Sequence, residues 1–138
     1  MTAAVFFGSD VANPDTYQKF WTDMQMYTTT MTQPDPQIFM EQWTTAQIAQ
    51  KANKWSSRNL ARWSNAEYDA TFAAAQNEFD VVKRAAMFIK MNDLVVNDFH
   101  VIPLFARPRP RGTATKLVAP LSAWDNDTCF IGYWSREA

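Results

Sequence analysis

Two helix-start signals in the middle of the chain constrain its fold more than any other feature of the sequence. Ser64 and Glu67 have the S-x-x-E spacing of a capping box, in which two side chains satisfy free backbone amides at the start of a helix. Asp80 precedes a second periodic segment and belongs to a residue type that caps helices well. We therefore predict two consecutive helices, at about residues 66–77 and 81–97.

The second of these predicted helices carries an apolar stripe. Its members recur at helical spacing, which is typical of a helix that buries one face in a core; they are Val81, Ala85, Phe88, Val95 and Phe99. We therefore expect this stripe to face the core of the domain.

Shorter elements are predicted on both sides of the helical pair. A helical face is expected at residues 17–21, and a further helix starts at Asp35-Pro36 and continues to Trp43. Segments rich in apolar, branched or aromatic residues favour strands; these are residues 3–7, 24–30, 101–106 and 112–118. Together the elements predict an α/β fold in which helices flank a mixed sheet.

Length and charge exclude several classes of protein. With 138 residues and 47% hydrophobic residues, the chain can form a single domain with a substantial core. The net charge of -1 offers no bulk attraction to nucleic acid, so no nucleic-acid partner is predicted. A transmembrane helix is not expected, and the first residues lack the basic and apolar regions of a signal peptide.

The residues that carry covalent or metal chemistry are sparse. His100 is the sole histidine, and we interpret it as a capping or core-edge residue because no catalytic partner is evident. Cys129 is the sole cysteine, so neither an internal disulfide nor a cysteine metal cluster can form. Asp125 and Asp127 are better explained by a turn than by a calcium site. The sequence therefore predicts no enzyme activity, cofactor or metal.

Six tryptophans and a run of threonines are the strongest indications of a binding surface. Trp21 and Trp43 are expected in the core, whereas the remaining four lie in predicted loops or strand ends; these are Trp55, Trp63, Trp124 and Trp134. The loop tryptophans could bind a ligand or could mark a surface that another lobe covers. Thr28, Thr30 and Thr32 alternate on one strand face, which favours either a polar cleft or an ordinary solvated strand.

Five local patterns together resemble a known family. They are the Asp35-Pro36 turn, Asn59-x-x-Arg62-Trp63, the helix start at residues 65–70, the helix start at residues 80–84, and the segment of residues 101–109. This order is similar to the C-terminal region of family 5 extracytoplasmic solute-binding proteins, the peptide-, opine- and nickel-binding components of ABC importers. The resemblance covers about residues 15–125. Ala66 and Val81 stand where the family often has proline.

The resemblance implies both a fold and a function. It implies a fragment of one lobe of a type II periplasmic-binding-protein-like fold, with residues 1–138 as a single C-terminal segment. It implies an extracytoplasmic protein that captures a peptide-like or other polar solute and presents it to a membrane permease. Thr32 stands where dipeptide binders have an acidic residue that pairs with the amine of the ligand. The solute could therefore also be an opine, a sugar or another polar molecule. The implied ligand-binding residues are Thr29, Thr30, Thr32, Asp35, Asn59, Arg62 and Trp63.

Two other interpretations compete with solute binding. The chain could be a stand-alone interaction module that uses exposed aromatic residues, or a truncated remnant without a function. A lobe without its counterpart should expose apolar surface and therefore form a homodimer, swap elements with a second copy or aggregate, with Trp124 and Trp134 as expected contact residues.

Overall fold

Two helices packed side by side form the centre of the fold. The computed structural model describes residues 1–10, 12–31, 33–106, 108, 112–120 and 130–137. The short helices α1, at Ala3–Phe6, and α2, at Gln37–Glu41, come before the central pair. The central pair is α3, at Ala66–Ala75, and α4, at Val81–Asn97, and α2 also packs on α4. The two predicted central helices are confirmed.

The caps of these helices differ from the prediction at one position. Asp80 caps α4 as expected, because its Oδ1 accepts the amide hydrogens of Val82 and Lys83 at 2.9 and 3.2 Å. At α3 the cap is Asn65, whose side chain accepts the amide of Tyr68 at 3.0 Å. The predicted capping box of Ser64 is therefore wrong. The Ser64 hydroxyl instead forms a 3.0 Å hydrogen bond with the hydroxyl of Thr45.

The hydrophobic core lies between α2, α3 and α4. Its buried members come from all three helices and from the segment before α3; they are Met40, Trp63, Tyr68, Phe72, Ala75, Phe88, Met91 and Val95. The hydroxyl of Tyr68 donates to the carbonyl of Met40 at 2.6 Å. This bond satisfies a buried polar group and joins α3 to α2. Burial is also the main cause that raises the pKa of Tyr68.

The apolar stripe of α4 is buried only in its middle part. Phe88 and Val95 lie in the core together with Met91, whereas Val81 and Phe99 are each 80% exposed and Ala85 is also exposed. Val81 is the first residue of α4, and Phe99 lies beyond its last residue in a left-handed conformation with φ of 55°. The predicted core-facing stripe is therefore confirmed for Phe88 and Val95, and it is wrong for Val81, Ala85 and Phe99.

An irregular segment connects α2 to α3. It contains 3-10 helices at Thr45–Gln47 and Lys51–Asn53, and a parallel bridge between Ile48 and Asn59. The amide of Asn59 donates to the carbonyl of Gln47 at 2.8 Å, and the amide of Ala49 donates to the carbonyl of Asn59 at 3.1 Å. This short ladder joins two distant parts of the segment, residues 47–49 and Asn59.

The predicted mixed sheet is not formed by the described residues. The sheet there has two antiparallel strands, β1 at Leu117–Val118 and β2 at Ser135–Arg136. Residues 3–7 were expected as a strand, but Ala3–Phe6 forms α1. Residues 24–30 and 101–106 belong to no strand, and β1 is shorter than the predicted strand at residues 112–118. A strand needs a hydrogen-bonded neighbour, and composition alone does not supply one. The type II periplasmic-binding fold stays a prediction.

Residues 17–21 form turns instead of the expected helix. Phe20 adopts a left-handed conformation with φ of 44°, which ends any helical run at that point. Trp21 is exposed and not in the core, so that prediction is wrong, whereas Trp43 packs against the core as expected. Within the described ranges, no helix is both long and apolar enough to cross a membrane.

We predict that the phenylalanine at the centre of the α4 stripe is essential for stability. Phe88→Ala should lower the free energy of unfolding by about 3–5 kcal/mol, because it removes a buried aromatic side chain and leaves a cavity. The matched control is Ile89→Ala at the next, exposed position, which should stay within about 0.5 kcal/mol of wild type. Urea unfolding followed by circular dichroism measures both. Equal losses in the two variants would contradict this packing.

Candidate functional site

A small groove beside α2 brings together two of the residues predicted to bind a ligand. We call it the α2 groove. It has a volume of about 230 Å³ and is lined by Thr30, Met31, Gln33, Asp35, Ile38, Phe39 and Arg58. Thr30 and Asp35 belong to the predicted set. Apolar side chains and polar groups meet in this groove, which is the usual composition of a small-molecule site.

The Asp35-Pro36 turn positions one wall of the groove. The Oδ1 atom of Asp35 accepts the amide hydrogen of Gln37 at 2.8 Å, and the carbonyl of Pro36 accepts the amide of Met40 at 2.8 Å. These bonds start α2 directly after the turn. The first turn of α2 then supplies Ile38 and Phe39 to the groove. The predicted helix start at this turn is confirmed.

Arg84 of α4 holds the acidic residue of the groove in place. Its Nη1 and Nη2 atoms donate to the two carboxylate oxygens of Asp35 at 2.9 and 3.1 Å. Nη2 also donates to Oε1 of Gln37 at 2.8 Å, and Nε donates to the carbonyl of Ala75 at 3.1 Å. The hydrogen bond from Arg84 is the main cause that lowers the pKa of Asp35, and the amide of Gln37 adds to it. The charge of Asp35 is thus compensated inside the protein.

Arg58 was not predicted as a site residue, although it lines the groove. Its side chain is exposed, and among the described residues its guanidinium has neither an ion-pair nor a hydrogen-bond partner. The sequence carries no signal that could have identified it. Arg58 is available to a ligand because Asp35, the acidic residue of the same groove, is paired with Arg84. This pairing is visible only in the folded structure.

Asn59 and Trp63 serve the scaffold in this structure. The side chain of Asn59 is 1% exposed, and its amide donates to the carbonyls of Trp43, Thr44 and Trp63. Trp63 is 3% exposed, and its Nε1 donates to Oδ2 of Asp98 at 2.6 Å. Neither side chain has a surface free to contact a solute here. His100 is exposed and lies against Trp63, with 5.8 Å between the ring centroids.

Arg62 lies in a separate aromatic cluster. Its guanidinium carbon is 5.8 Å from the ring of Trp21 and 5.4 Å from the ring of Trp55, and Nη2 donates to the carbonyl of Lys19. Such cation–π contacts stabilise by about 0.5–1 kcal/mol at exposed positions. Arg62 thereby attaches the N-terminal segment to the irregular segment before α3, and it does not line the α2 groove.

The other predicted positions are distributed over the chain. Thr29 is exposed and does not line the groove. Trp134 is half-buried and not freely exposed. Several predictions lie outside the described residues, namely those for Thr32, Trp124, Asp125, Asp127 and Cys129. Among the residues that are described, no group of three His, Cys, Asp or Glu side chains is arranged to hold a metal.

A larger depression runs along α4, but it contains none of the predicted site residues. Its volume is about 560 Å³, and its lining includes Asn65, Ile89, Lys90, Asp93 and Asp98. The ammonium of Lys90 forms an ion pair with Glu67 at 2.7 Å. We take the α2 groove as the candidate site, because it contains two of the residues that the sequence predicted.

Comparison of the chain with protein-family models, with curated proteins and with solved structures found no match. The resemblance to family 5 solute-binding proteins accordingly stays a prediction, and it depends on the residue patterns alone.

We predict that the Asp35–Arg84 pair makes stability depend on pH in the acidic range. Because the pKa of Asp35 is lower in the folded than in the unfolded chain, the pair stabilises the fold above pH 3.8. This stabilisation is lost as the pH falls below that value and Asp35 becomes protonated in the folded state. Asp35 is partly exposed, so Asp35→Asn should cost no more than about 1 kcal/mol near pH 7.

Urea unfolding at a series of pH values tests this expectation. The difference between wild type and Asp35→Asn should shrink towards zero as the pH falls below 3.8 and Asp35 becomes protonated. In an Arg84→Gln background the same substitution should have little effect at any of these pH values. A difference that stays constant down to pH 2 would contradict a stabilising ion pair.

Proposed function

We propose that this chain is the solute-contacting part of an extracytoplasmic solute-binding protein of an ABC importer. In this proposal the α2 groove forms part of the solute site, and a membrane permease receives the solute. The observation that carries the proposal is the contact between Asp35 and Arg84. It joins two of the patterns on which the family resemblance depends. One is the Asp35-Pro36 turn, and the other is the helix start at residues 80–84, which includes Arg84.

The chemistry of the groove supports solute binding without covalent chemistry. Met31, Ile38 and Phe39 supply apolar surface, while Thr30 and Gln33 supply a hydroxyl and an amide. Apolar contact gives affinity, and the few polar groups orient the solute. The volume of about 230 Å³ is below the roughly 300–1,000 Å³ of most complete ligand sites. The groove would therefore bind a small solute or one end of a longer one.

Substitution of single hydroxyl groups tests this proposal. The chain, labelled with nitrogen-15, is titrated with amino acids, dipeptides, opines and small sugars while amide shifts are followed by NMR. A solute that binds in the groove should shift the amides of Thr30 and Phe39. Thr30→Val should then weaken its binding by about three- to tenfold, because a neutral hydrogen bond contributes about 0.5–1.5 kcal/mol.

The matched control is Thr29→Val, since Thr29 is an exposed threonine outside the groove lining. It should leave the affinity unchanged. Equal effects of the two substitutions, or shifts confined to the depression along α4, would contradict the α2 groove as the solute site.

A second candidate function is supported by exposed apolar residues at the start of α4. Phe79 is 95% exposed, and Val81 and Val82 are exposed beside it. Clustered apolar side chains of this kind often mark contacts with another protein. An interaction module would use this surface to contact its partner.

We predict that this surface causes association of the isolated chain. Light scattering across a concentration series should show an apparent mass that rises with concentration. The double substitution Phe79→Ser and Val82→Ser should return the apparent mass to that of a monomer, because it removes apolar contact area. The control Met24→Ser changes an apolar residue that is equally exposed but distant in sequence. A wild-type chain that stays monomeric at high concentration would contradict the interaction module.

A further inference from the structure

We propose that the α2 groove selects small organic anions, carboxylates with an apolar body, and that Arg58 binds the carboxylate. This inference rests on the proposed function, in which the groove binds a solute, and adds the chemical class of that solute. It concerns a residue that none of the sequence patterns identified.

The distribution of charge in the groove is the first argument. Asp35 is the acidic side chain in the groove lining, and Arg84 donates a hydrogen bond to each of its carboxylate oxygens. Arg58 is the basic side chain in the same lining, and within the described parts of the chain nothing pairs with its guanidinium. The groove therefore presents one compensated negative charge and one uncompensated positive charge to a solute.

The chemistry of the neighbouring side chains is the second argument. A guanidinium presents several N–H donors in one plane and matches the two oxygens of a carboxylate. Ile38 and Phe39 offer an apolar surface for the body of the ligand, and the hydroxyl of Thr30 can donate one more hydrogen bond. An anionic end with an apolar body complements these groups.

The same geometry disfavours solutes that carry an amine. The charge of Asp35 is already balanced by Arg84, which donates a hydrogen bond to each of its oxygens, so Asp35 attracts an ammonium group only weakly. The unpaired Arg58 would repel the added positive charge. The groove thus favours anionic over cationic solutes because Arg84 is paired with Asp35 and Arg58 is unpaired within the described chain.

Three probes with one apolar body and different charges test the proposal. They are 4-methylpentanoate, its neutral primary amide 4-methylpentanamide, and the cation 4-methylpentylamine. Each is titrated into the nitrogen-15 labelled chain, and the amide shifts of Thr30, Met31 and Phe39 are followed. The carboxylate should bind about tenfold more tightly than the amide, because hydrogen bonds to charged groups exceed neutral ones by about this factor. The amine should bind more weakly than the amide.

Variants of the arginine assign the effect to its side chain. Arg58→Gln should reduce the affinity for the carboxylate to that for the amide, and Arg58→Lys should retain part of the preference. Lys51→Gln removes an exposed cation outside the groove lining and should preserve the preference, which controls for the overall charge. The dispersion of the amide spectrum reports in each case that the variant is folded.

The outcomes separate this inference from the proposed function. Equal binding of carboxylate and amide in the groove, or a preference that persists in Arg58→Gln, would overturn the role of Arg58 and leave solute binding intact. Shifts of the groove amides by neutral sugars or peptides alone would have the same meaning. If no probe and no other solute shifts the groove amides, both the inference and the proposed function are overturned.

Discussion

The side chain of Asn59 holds together the irregular segment on which the rest of the domain depends. One buried amide donates to three carbonyls, two just after α2 and one just before α3, and its oxygen accepts the amide of Trp63 at 3.1 Å. The segment between α2 and α3 has no long helix or sheet to satisfy its backbone. Each carbonyl left buried without a partner would cost about 1–3 kcal/mol. Asn59 thereby fixes the distance between α2 and α3, and with it the space that the core fills.

Arg84 connects the core residue Phe88 to the exposed turn at Asp35-Pro36. Its guanidinium reaches the Asp35-Pro36 turn, the side chain of Gln37 and the C-terminal end of α3, and it lies 4.8 Å from the ring of Phe88. The α2 groove is therefore built on α4, although most of its lining lies far from α4 in the sequence. These bonds hold Asp35 and the first turn of α2 against α4, and a pre-formed wall loses less entropy when a solute binds.

The proposed function unites these features with the five sequence patterns. A solute-binding protein needs a rigid wall with a few polar groups, and the α2 groove has that composition. The exposed apolar residues at Phe79 and Val82 are compatible with a surface that another protein or lobe covers. The two proposals use different surfaces of the domain, because neither Phe79 nor Val82 lines the α2 groove.

The parts of the structure that could be predicted from the sequence are those that depend on neighbours along the chain. The positions of α3 and α4, the cap at Asp80 and the helix start at Asp35-Pro36 follow from hydrogen bonds within a few residues. The strands were mispredicted because a strand is stabilised by a partner distant in the chain. The scaffold positions of Asn59 and Trp63, the pairing of Asp35 and the unpaired state of Arg58 within the described chain were decided only by the tertiary structure. Burial and charge pairing depend on which distant residues come into contact, and no local pattern encodes that.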